Sequence, residues 1–382
     1  MKVAVVHNIP IHYKHLLFQA MNKLGMNFDV LFMASGSSIR HEDIGLSQDL
    51  YRYRIGYDGP YESAPPVRKA LWTWSALKEI RPRVILVSSY YATECWSAWL
   101  WAFLNRVPLV MWYESNEFDY PRHWPKELLK RIFIRGLAGA HVYGLSNKAY
   151  LVKLGLPTQD VTIKRAVVDI GKFDTKPSEK SYRSDGVTRL VYVGRLAAIK
   201  NVITLVRAFA DAVKSTTAPM RLIIAGTGPC QEALRNEASM LGVGELIDFR
   251  GYIPQKDLAA VYREADFFVL PSVREPWGLV ALEAMLCRLP VLISTQCGCA
   301  LDVVNSETGW SFSPWDQANL AALIKQLPAV RLDQIERMGA AAHDLAAVYS
   351  PDNCARLVFE SVRNLRNRSS RVGACMEAGY VG

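Results

Sequence analysis

The chain has no apolar run long enough to cross a bilayer. Its most hydrophobic helical pattern, CWSAWLWAFL at Cys95–Leu104, is half of the roughly 20 residues a span needs. The opening MKVAVVHNIP reads as a strand and a turn, without the apolar region and cleavage site of a secretory leader. Cysteine is sparse, and the seven copies are scattered over positions 95, 230, 287, 297, 299, 354 and 375. Only Cys297 and Cys299 are close in sequence, and no second pair stands at zinc spacing. That argues against both a disulfide framework and a structural metal. Aromatic residues are not interleaved with basic ones as stacking platforms, and no nucleic-acid-binding module is recognisable. These absences predict a cytoplasmic protein with free thiols and no nucleic-acid partner.

Positive charge, by contrast, is plentiful. Lys and Arg number 45 against 36 Asp and Glu, a formal charge of +9, which favours an anionic partner such as a phosphorylated ligand or an anionic membrane surface. Half of the residues are hydrophobic and 21% are charged, a globular composition. A length of 382 residues exceeds what one core usually supports and predicts two domains.

Short β-branched runs alternate with helical patterns. Val3–Val6, Phe28–Met33, Val84–Ser88, Leu109–Trp112 and His141–Leu145 read as strands, with helical patterns over 13–24, 67–80, 93–105 and 126–137. The series then restarts with strands at Leu190–Val193, Arg221–Ala225, Ile247–Phe249, Phe267–Leu270 and Val291–Ser294. Uninterrupted apolar strands spaced by helices form parallel sheets covered on both faces. The expected fold class is therefore α/β, with two doubly wound Rossmann-like domains facing an interdomain cleft. The expected boundaries are a first domain over 1–170, a polar linker over 171–187 and a second domain over 188–350. Residues 351–382 read as a C-terminal helix, packing back toward the first domain, and a basic tail.

Three stretches of the second half carry chemistry. In LVYVGRLAAIKN, Leu190–Asn201, a strand ends at Gly194, and Arg195 and Lys200 flank a short loop before a helix. Two cations in that position can hold a diphosphate. In LIIAGTGPCQEAL, Gly226-Thr227-Gly228-Pro229 follows a strand, but Gln231 stands where a dinucleotide fingerprint needs its third glycine. A tight strand-to-helix turn near a ligand is the reading that remains. In REPWGLVALEAMLCRLPVLIS, residues 274–294, Glu275 sits at a strand's carboxyl end. The amides of Gly278, Leu279 and Val280 open the next helix as unpaired donors. Glu283 lies inside that helix among apolar neighbours, where a carboxylate needs a partner.

Taken in order, GRLAAIK (Gly194–Lys200), AGTGP (Ala225–Pro229), FRGYIP (Phe249–Pro254) and PSVREPWGLVALEAMLCRLPVLIS (Pro271–Ser294) resemble a known family. They are similar to the retaining, nucleotide-sugar-dependent glycosyltransferases of family 4, group 1 glycosyltransferases of GT-B fold. The last stretch contains that family's E-x7-E pattern, and together the motifs span about 100 residues. The resemblance implies that Arg195 and Lys200 bind the donor diphosphate and stabilise it as a leaving group. It implies that Glu275 binds donor-sugar hydroxyls near the reacting carbon, and that Glu283 hydrogen-bonds the ribose. Tyr252 and Ile253 would lie near the nucleobase. Where the family commonly has Gly-Phe-Gly this chain has Pro276-Trp277-Gly278, a change expected to reshape the sugar pocket, and Arg288 replaces a usual glycine.

The first half resembles the family less. HNIPIHYKH, His7–His15, stands where many members carry a glycine-rich loop. His12 is an acceptor-side candidate there, and a metal at His12 and His15 would need further ligands. Glu114 stands where many members place a strand-end histidine, and it reads as an acceptor-side base or a sugar ligand. The resemblance implies a hexosyl transfer with retention, from a nucleotide-diphosphate sugar to a glycan or polyprenyl- or lipid-linked acceptor, in cell-surface or exopolysaccharide synthesis. The nucleotide-sugar is then a substrate, and no cofactor or metal is expected, since no D-x-D motif is present. Two alternatives use the same residues: a nucleotide-sugar hydrolase or epimerase on this fold, and a non-catalytic sugar-nucleotide or glycan-binding protein.

Lys126, Lys130, Arg131 and Arg135 share a helical pattern with Leu128, Leu129, Ile132, Phe133 and Ile134. A basic amphipathic helix of this kind can lie on an anionic leaflet, which predicts a peripheral position on the inner face of the cytoplasmic membrane. A second basic cluster (Arg356, Arg363, Arg366, Arg368, Arg371) follows near the end.

Overall fold

The computed structural model describes residues 1–38, 46–119 and 124–378, those from 366 onward as backbone only. Arg366, Arg368, Arg371 and Cys375 therefore lie outside the described side chains. The described residues fall into two compact units. One gathers those of 1–114, 120–167 and 351–382; the other gathers 115–119 and 168–350.

The first unit is built on seven strands: β1 (Val3–His7), β2 (Phe28–Phe32), β3 (Tyr53–Ile55), β4 (Val84–Val87), β5 (Leu109–Tyr113), β6 (Gly139–Val142) and β7 (Val161–Ile163). All pair in parallel, in the order β3-β2-β1-β4-β5-β6-β7. The order reverses between β1 and β4, which opens a crevice beyond the carboxyl ends of those strands, where ligands of such sheets bind. Every residue of β1, β2, β4, β5 and β6 is buried, as helices on both faces require. Those helices are α1 (His12–Lys23), α2 (Pro66–Ile80), α3 (Thr93–Asn105), α4 (Trp124–Arg135) and α5 (Leu145–Lys153).

The second unit repeats the plan with six parallel strands: β8 (Thr188–Val193), β9 (Met220–Ala225), β10 (Ile247–Gly251), β11 (Phe267–Leu270), β12 (Val291–Ser294) and β13 (Gly309–Phe312). Their order is β10-β9-β8-β11-β12-β13, so the reversal falls between β8 and β11. Its helices are α6 (Ile170–Phe173), α7 (Val202–Lys214), α8 (Gln231–Met240), α9 (Leu258–Glu264), α10 (Leu279–Leu286), α11 (Ala300–Val303), α12 (Gln317–Gln326) and α13 (Leu332–Ala347). The final helix, α14 (Pro351–Ala378), belongs to the first unit, where Cys354, Ala355, Val358 and Val362 share a core with Leu17, Phe18 and Met21 of α1. Among the described residues no helix is long and apolar enough to cross a membrane.

Several details differ from the sequence expectations. The edge strands β3, β7 and β13 were not foreseen; they are only partly buried and so lack a continuous apolar signal. The strand expected at His141–Leu145 starts earlier, at Gly139, which pairs with Val110. A side chain at Gly139 would stand 2.9 Å from the Asp160 carbonyl, and the chain has turned into α5 by Leu145. Residues 171–187 are held by the second unit. Phe173 is buried, Arg183 N–H donates to Asp266 Oδ1 at 2.9 Å, and Arg288 Nε donates to the Thr175 carbonyl at 2.7 Å.

Candidate active site

In the second unit the loops after β8 and β11 meet at the reversal point. The loop after β8 turns through a 3-10 stretch, Ala198–Lys200, and the Ile199 carbonyl accepts from the Val273 amide at 3.0 Å and the Arg274 amide at 3.3 Å. This backbone clamp sets Lys200 against Glu275, and Lys200 Nζ donates to Glu275 Oε2. The side chains are only 16% and 12% exposed. The Glu275 carbonyl in turn accepts from the Gly298 amide at 2.9 Å. A side chain on Gly298 would fall 2.0 Å from the Pro276 carbonyl, so this second clamp needs glycine.

Two other glycines explain the GTGP stretch. A Cβ on Gly226 would stand 1.9 Å from the Gly194 carbonyl, and one on Gly228 2.3 Å from the Leu196 carbonyl. The turn after β9 thus lets the Gly194–Leu196 loop lie directly on it, with the Leu196 amide donating to Thr227 at 2.9 Å. Arg195 is exposed on that loop. The Tyr192 hydroxyl donates to the Arg195 carbonyl at 3.1 Å and fixes the backbone there.

Gly278 precedes α10 with φ 105°, a left-handed conformation that glycine adopts without strain. The helix buries Ala281, Leu282, Ala284, Met285 and Leu286. Leu279, Val280 and Glu283, one turn apart, form its half-buried strip. Burial and the charge of Glu283 hold the Tyr262 phenol well above its usual range, so it stays protonated and donates to Glu283 Oε2 at 3.1 Å. That bond is the partner a carboxylate in an apolar helix needs. Pro276 is exposed, but Trp277 turns inward, 3% exposed, with its ring 6.2 Å from Tyr349. The indole therefore braces the turn from inside, and Pro276 is the exposed residue of that stretch. Tyr252, 74% exposed, and Ile253 lie beyond β10, two strands from β8.

Sequence reasoning missed Asp119. Residues 115–119 group with the second unit, and Asn116 Nδ2 donates to the Glu275 carbonyl at 3.3 Å. Asp119, 1% exposed, accepts from the Asn116 amide at 2.8 Å through Oδ2, and the Ser115 side chain also bonds to its carboxylate. Burial, and then the charge of Glu275, push its carboxyl up to about 6 against the pull of that amide. The only sequence signal was the Asn116-x-x-Asp119 spacing of a local turn.

In the first unit a cavity of about 510 Å³ lies beyond β1, β4 and β5, lined by residues that include His7, Tyr13, Ser88, Glu94 and Glu114. Glu114 Oε1 meets Lys14 Nζ at 2.6 Å and accepts from the Tyr143 hydroxyl at 2.5 Å. Burial opposes its ionisation, yet the Lys14 charge and these hydrogen bonds hold its carboxyl down to about 2. Such a group is a poor proton acceptor near neutrality, and the geometry favours the ligand reading over the base. His12 opens α1 half-buried, one residue before Tyr13. His15 is engaged on both nitrogens, with Tyr51 at 2.9 Å and Gln19 at 2.6 Å, which ties it into the core.

On α4, Trp124, Leu128, Leu129 and Ile132 are exposed beside exposed Lys126, Arg131 and Arg135. Lys130, expected on the same basic face, is instead buried, with Glu127 and the Tyr150 hydroxyl at 2.8 and 2.6 Å.

The two parallel-sheet α/β units have the GT-B fold of glycosyltransferases. A solved structure of Anabaena HepE in complex with UDP and glucose superposes with a TM-score of 0.72 at 17% identity, over 95% of this chain and 100% of that one. Residues 174–344, which make up most of the second unit, match the family model of group 1 glycosyl transferases. A glycogen synthase of Mycobacterium tuberculosis is 34% identical over 168 residues, 44% of this chain and 40% of that protein. The chain therefore spans less than half the length of that relative. The D-inositol 3-phosphate glycosyltransferase of Corynebacterium glutamicum is 27% identical over 360 residues, 86% of this chain and 85% of that protein.

Proposed function

We propose that the protein transfers a sugar, with retention and without a metal ion, from a nucleotide-diphosphate sugar to a glycan or lipid-linked acceptor in cell-surface or exopolysaccharide synthesis. The observation that carries this reading is the Lys200–Glu275 pair beside the start of α10, inside the matched group 1 domain. Transfer needs stabilisation of a developing diphosphate and of an oxocarbenium-like sugar. Lys200, Arg195 and the first-turn amides of α10 supply positive charge and donors for the diphosphate. Glu275 accepts from sugar hydroxyls, and Glu283, with one oxygen on Tyr262, accepts from the ribose. Asp119 sits against the Glu275 loop and fixes it through Asn116. UDP and glucose bound to HepE support a uridine nucleotide among the donors to try first.

A thermal-shift screen with UDP, GDP and ADP tests the donor reading, because a ligand that binds only the folded state raises its stability. In turnover assays, Glu275→Ala and Lys200→Ala should each lower kcat/KM by roughly 10²–10³. Near-wild-type turnover by both variants would refute the assignment. The exposed apolar and basic residues of α4 support a peripheral position on an anionic membrane. Co-sedimentation with anionic liposomes at low and moderate salt checks it, and no binding at either salt would exclude it.

A further inference from the structure

The cavity of the first unit differs in charge character from the site around Lys200. Its walls carry three carboxylates, Glu62, Glu94 and Glu114, and among the described residues no lysine or arginine lines it. Lys14 lies behind Glu114 and neutralises that one carboxylate. Among the described residues the other two have hydroxyl or amide partners only. Glu94, 2% exposed, accepts from the Tyr61 hydroxyl at 2.7 Å and from Thr93 Oγ1 at 3.4 Å. Glu62 accepts from Ser37 Oγ at 2.6 Å and from the Ser38 amide at 2.9 Å. These bonds keep Glu62 ionised, holding its carboxyl well below the usual range. Among the described residues Lys69 lies close by, 3.6 Å from the centre of the Tyr61 ring, the ring whose hydroxyl donates to Glu94.

We propose that this cavity receives an uncharged, hydroxyl-rich acceptor and discriminates against phosphorylated ones, an inference that rests on the transferase reading above. A carboxylate only accepts hydrogen bonds, and so does a phosphate dianion, whereas a sugar hydroxyl both donates and accepts. Glu62 and Glu94 therefore take charge-assisted bonds from a polyol and repel an anion. Ser88 and Ser89 add hydroxyl partners, and Tyr91, 76% exposed, adds a ring face at the rim. The volume falls within the range of roughly 300–1,000 Å³ usual for small-molecule sites.

The test is a glycan array probed with the full chain, carrying neutral oligosaccharides and their phosphorylated counterparts. The expected result is binding to neutral glycans at least about tenfold tighter than to phosphorylated ones, weakened by Glu94→Gln. The exposed Glu62→Lys variant should narrow the difference by about tenfold. Equal or tighter binding of phosphorylated glycans by the wild type, or no binding of any neutral glycan, overturns the proposal. Nucleotide diphosphates are screened by thermal shift on the same preparation. A nucleotide response without neutral-glycan binding sinks the acceptor inference alone, and glycan binding without any nucleotide response sinks the transferase reading alone.

Discussion

If Lys200 and Glu275 act as one unit, removing both should harm the fold less than removing either. The two side chains are 16% and 12% exposed. At a contact of roughly 3 Å and an effective dielectric of about 20, their gross attraction is on the order of 5 kcal/mol. Much of that is cancelled by the cost of taking two charges out of water. Neutralising one partner leaves the other desolvated and unpaired, a loss of about 3 kcal/mol at the low end of the range for buried pairs. Neutralising both, as in Lys200→Met with Glu275→Gln, should cost about 1 kcal/mol. Additive behaviour would instead give about 6 kcal/mol, so the coupling energy sought is large against the usual error of about 0.5 kcal/mol.

Because a chain of two units does not unfold in a single step, the readout is hydrogen exchange in β11 and α10. These elements flank the loop that carries Glu275, and their protection reports local stability. Turnover should behave differently from stability. Both single variants and the double variant should fall by roughly 10²–10³, since groups that act as a unit lose their effect together. Protection losses that add in the double variant would show that the two charges are independent, and the reasoning would fail.

Three further outcomes follow from groups elsewhere. Burial, and then the charge of Lys14, lower the Lys164 ammonium to about 7 from an unfolded value near 10.5. The folded state therefore gains stability as pH rises through that window and loses it as pH falls. Lys164→Met should flatten the slope and raise the thermal midpoint at pH 7, and parallel profiles for wild type and variant would exclude it. Asp119 is raised to about 6 from 3.8, so its contribution is lost as pH rises between those values. Asp119→Asn should stabilise the protein at pH 7.5 and not at pH 3.5, by at most about 3 kcal/mol, as thermal melts at the two pH values would report. Gly226→Ala puts a methyl 1.9 Å from the Gly194 carbonyl. It should weaken nucleotide-diphosphate binding by about tenfold or more by displacing the Arg195 loop, and calorimetric titration reads the change.

The elements legible in the sequence were those whose signal is local. Central strands such as Val291–Ser294 are buried on both faces and read as apolar runs, and the restart of the alternation after 187 announced a second sheet. Edge strands hide half their residues at most, so β3, β7 and β13 gave no such run. Around the site, the order of Arg195, Lys200, Glu275 and Glu283 was readable as a family pattern, whereas the clamps that position them were not. The Ile199 carbonyl bonds to Val273 and Arg274 join residues more than seventy positions apart, and no periodicity encodes that.

The burial of Lys130, expected on an exposed basic face, recurs at other lysines. Lysine is expected in water, and Lys14, Lys130 and Lys164 are all buried. What makes their burial tolerable is a set of polar and aromatic partners, some near in sequence and some far. Glu114 meets Lys14 at 2.6 Å, and Tyr150 and Glu127 meet Lys130. Lys164 Nζ donates to a backbone carbonyl at 3.1 Å and lies 4.3 Å from the centre of the Tyr143 ring. Glu114 therefore has two reasons to be in the first unit, to compensate a buried cation and to face the cavity. Only the second is available to a reading of the sequence alone. A carboxylate fixed by Lys14 and Tyr143 cannot easily move or take up a proton, which suits holding an acceptor hydroxyl in place better than abstracting its proton. If the chain transfers a sugar as proposed, the proton released must leave by another acceptor, and the anionic oxygens of the departing diphosphate can take it.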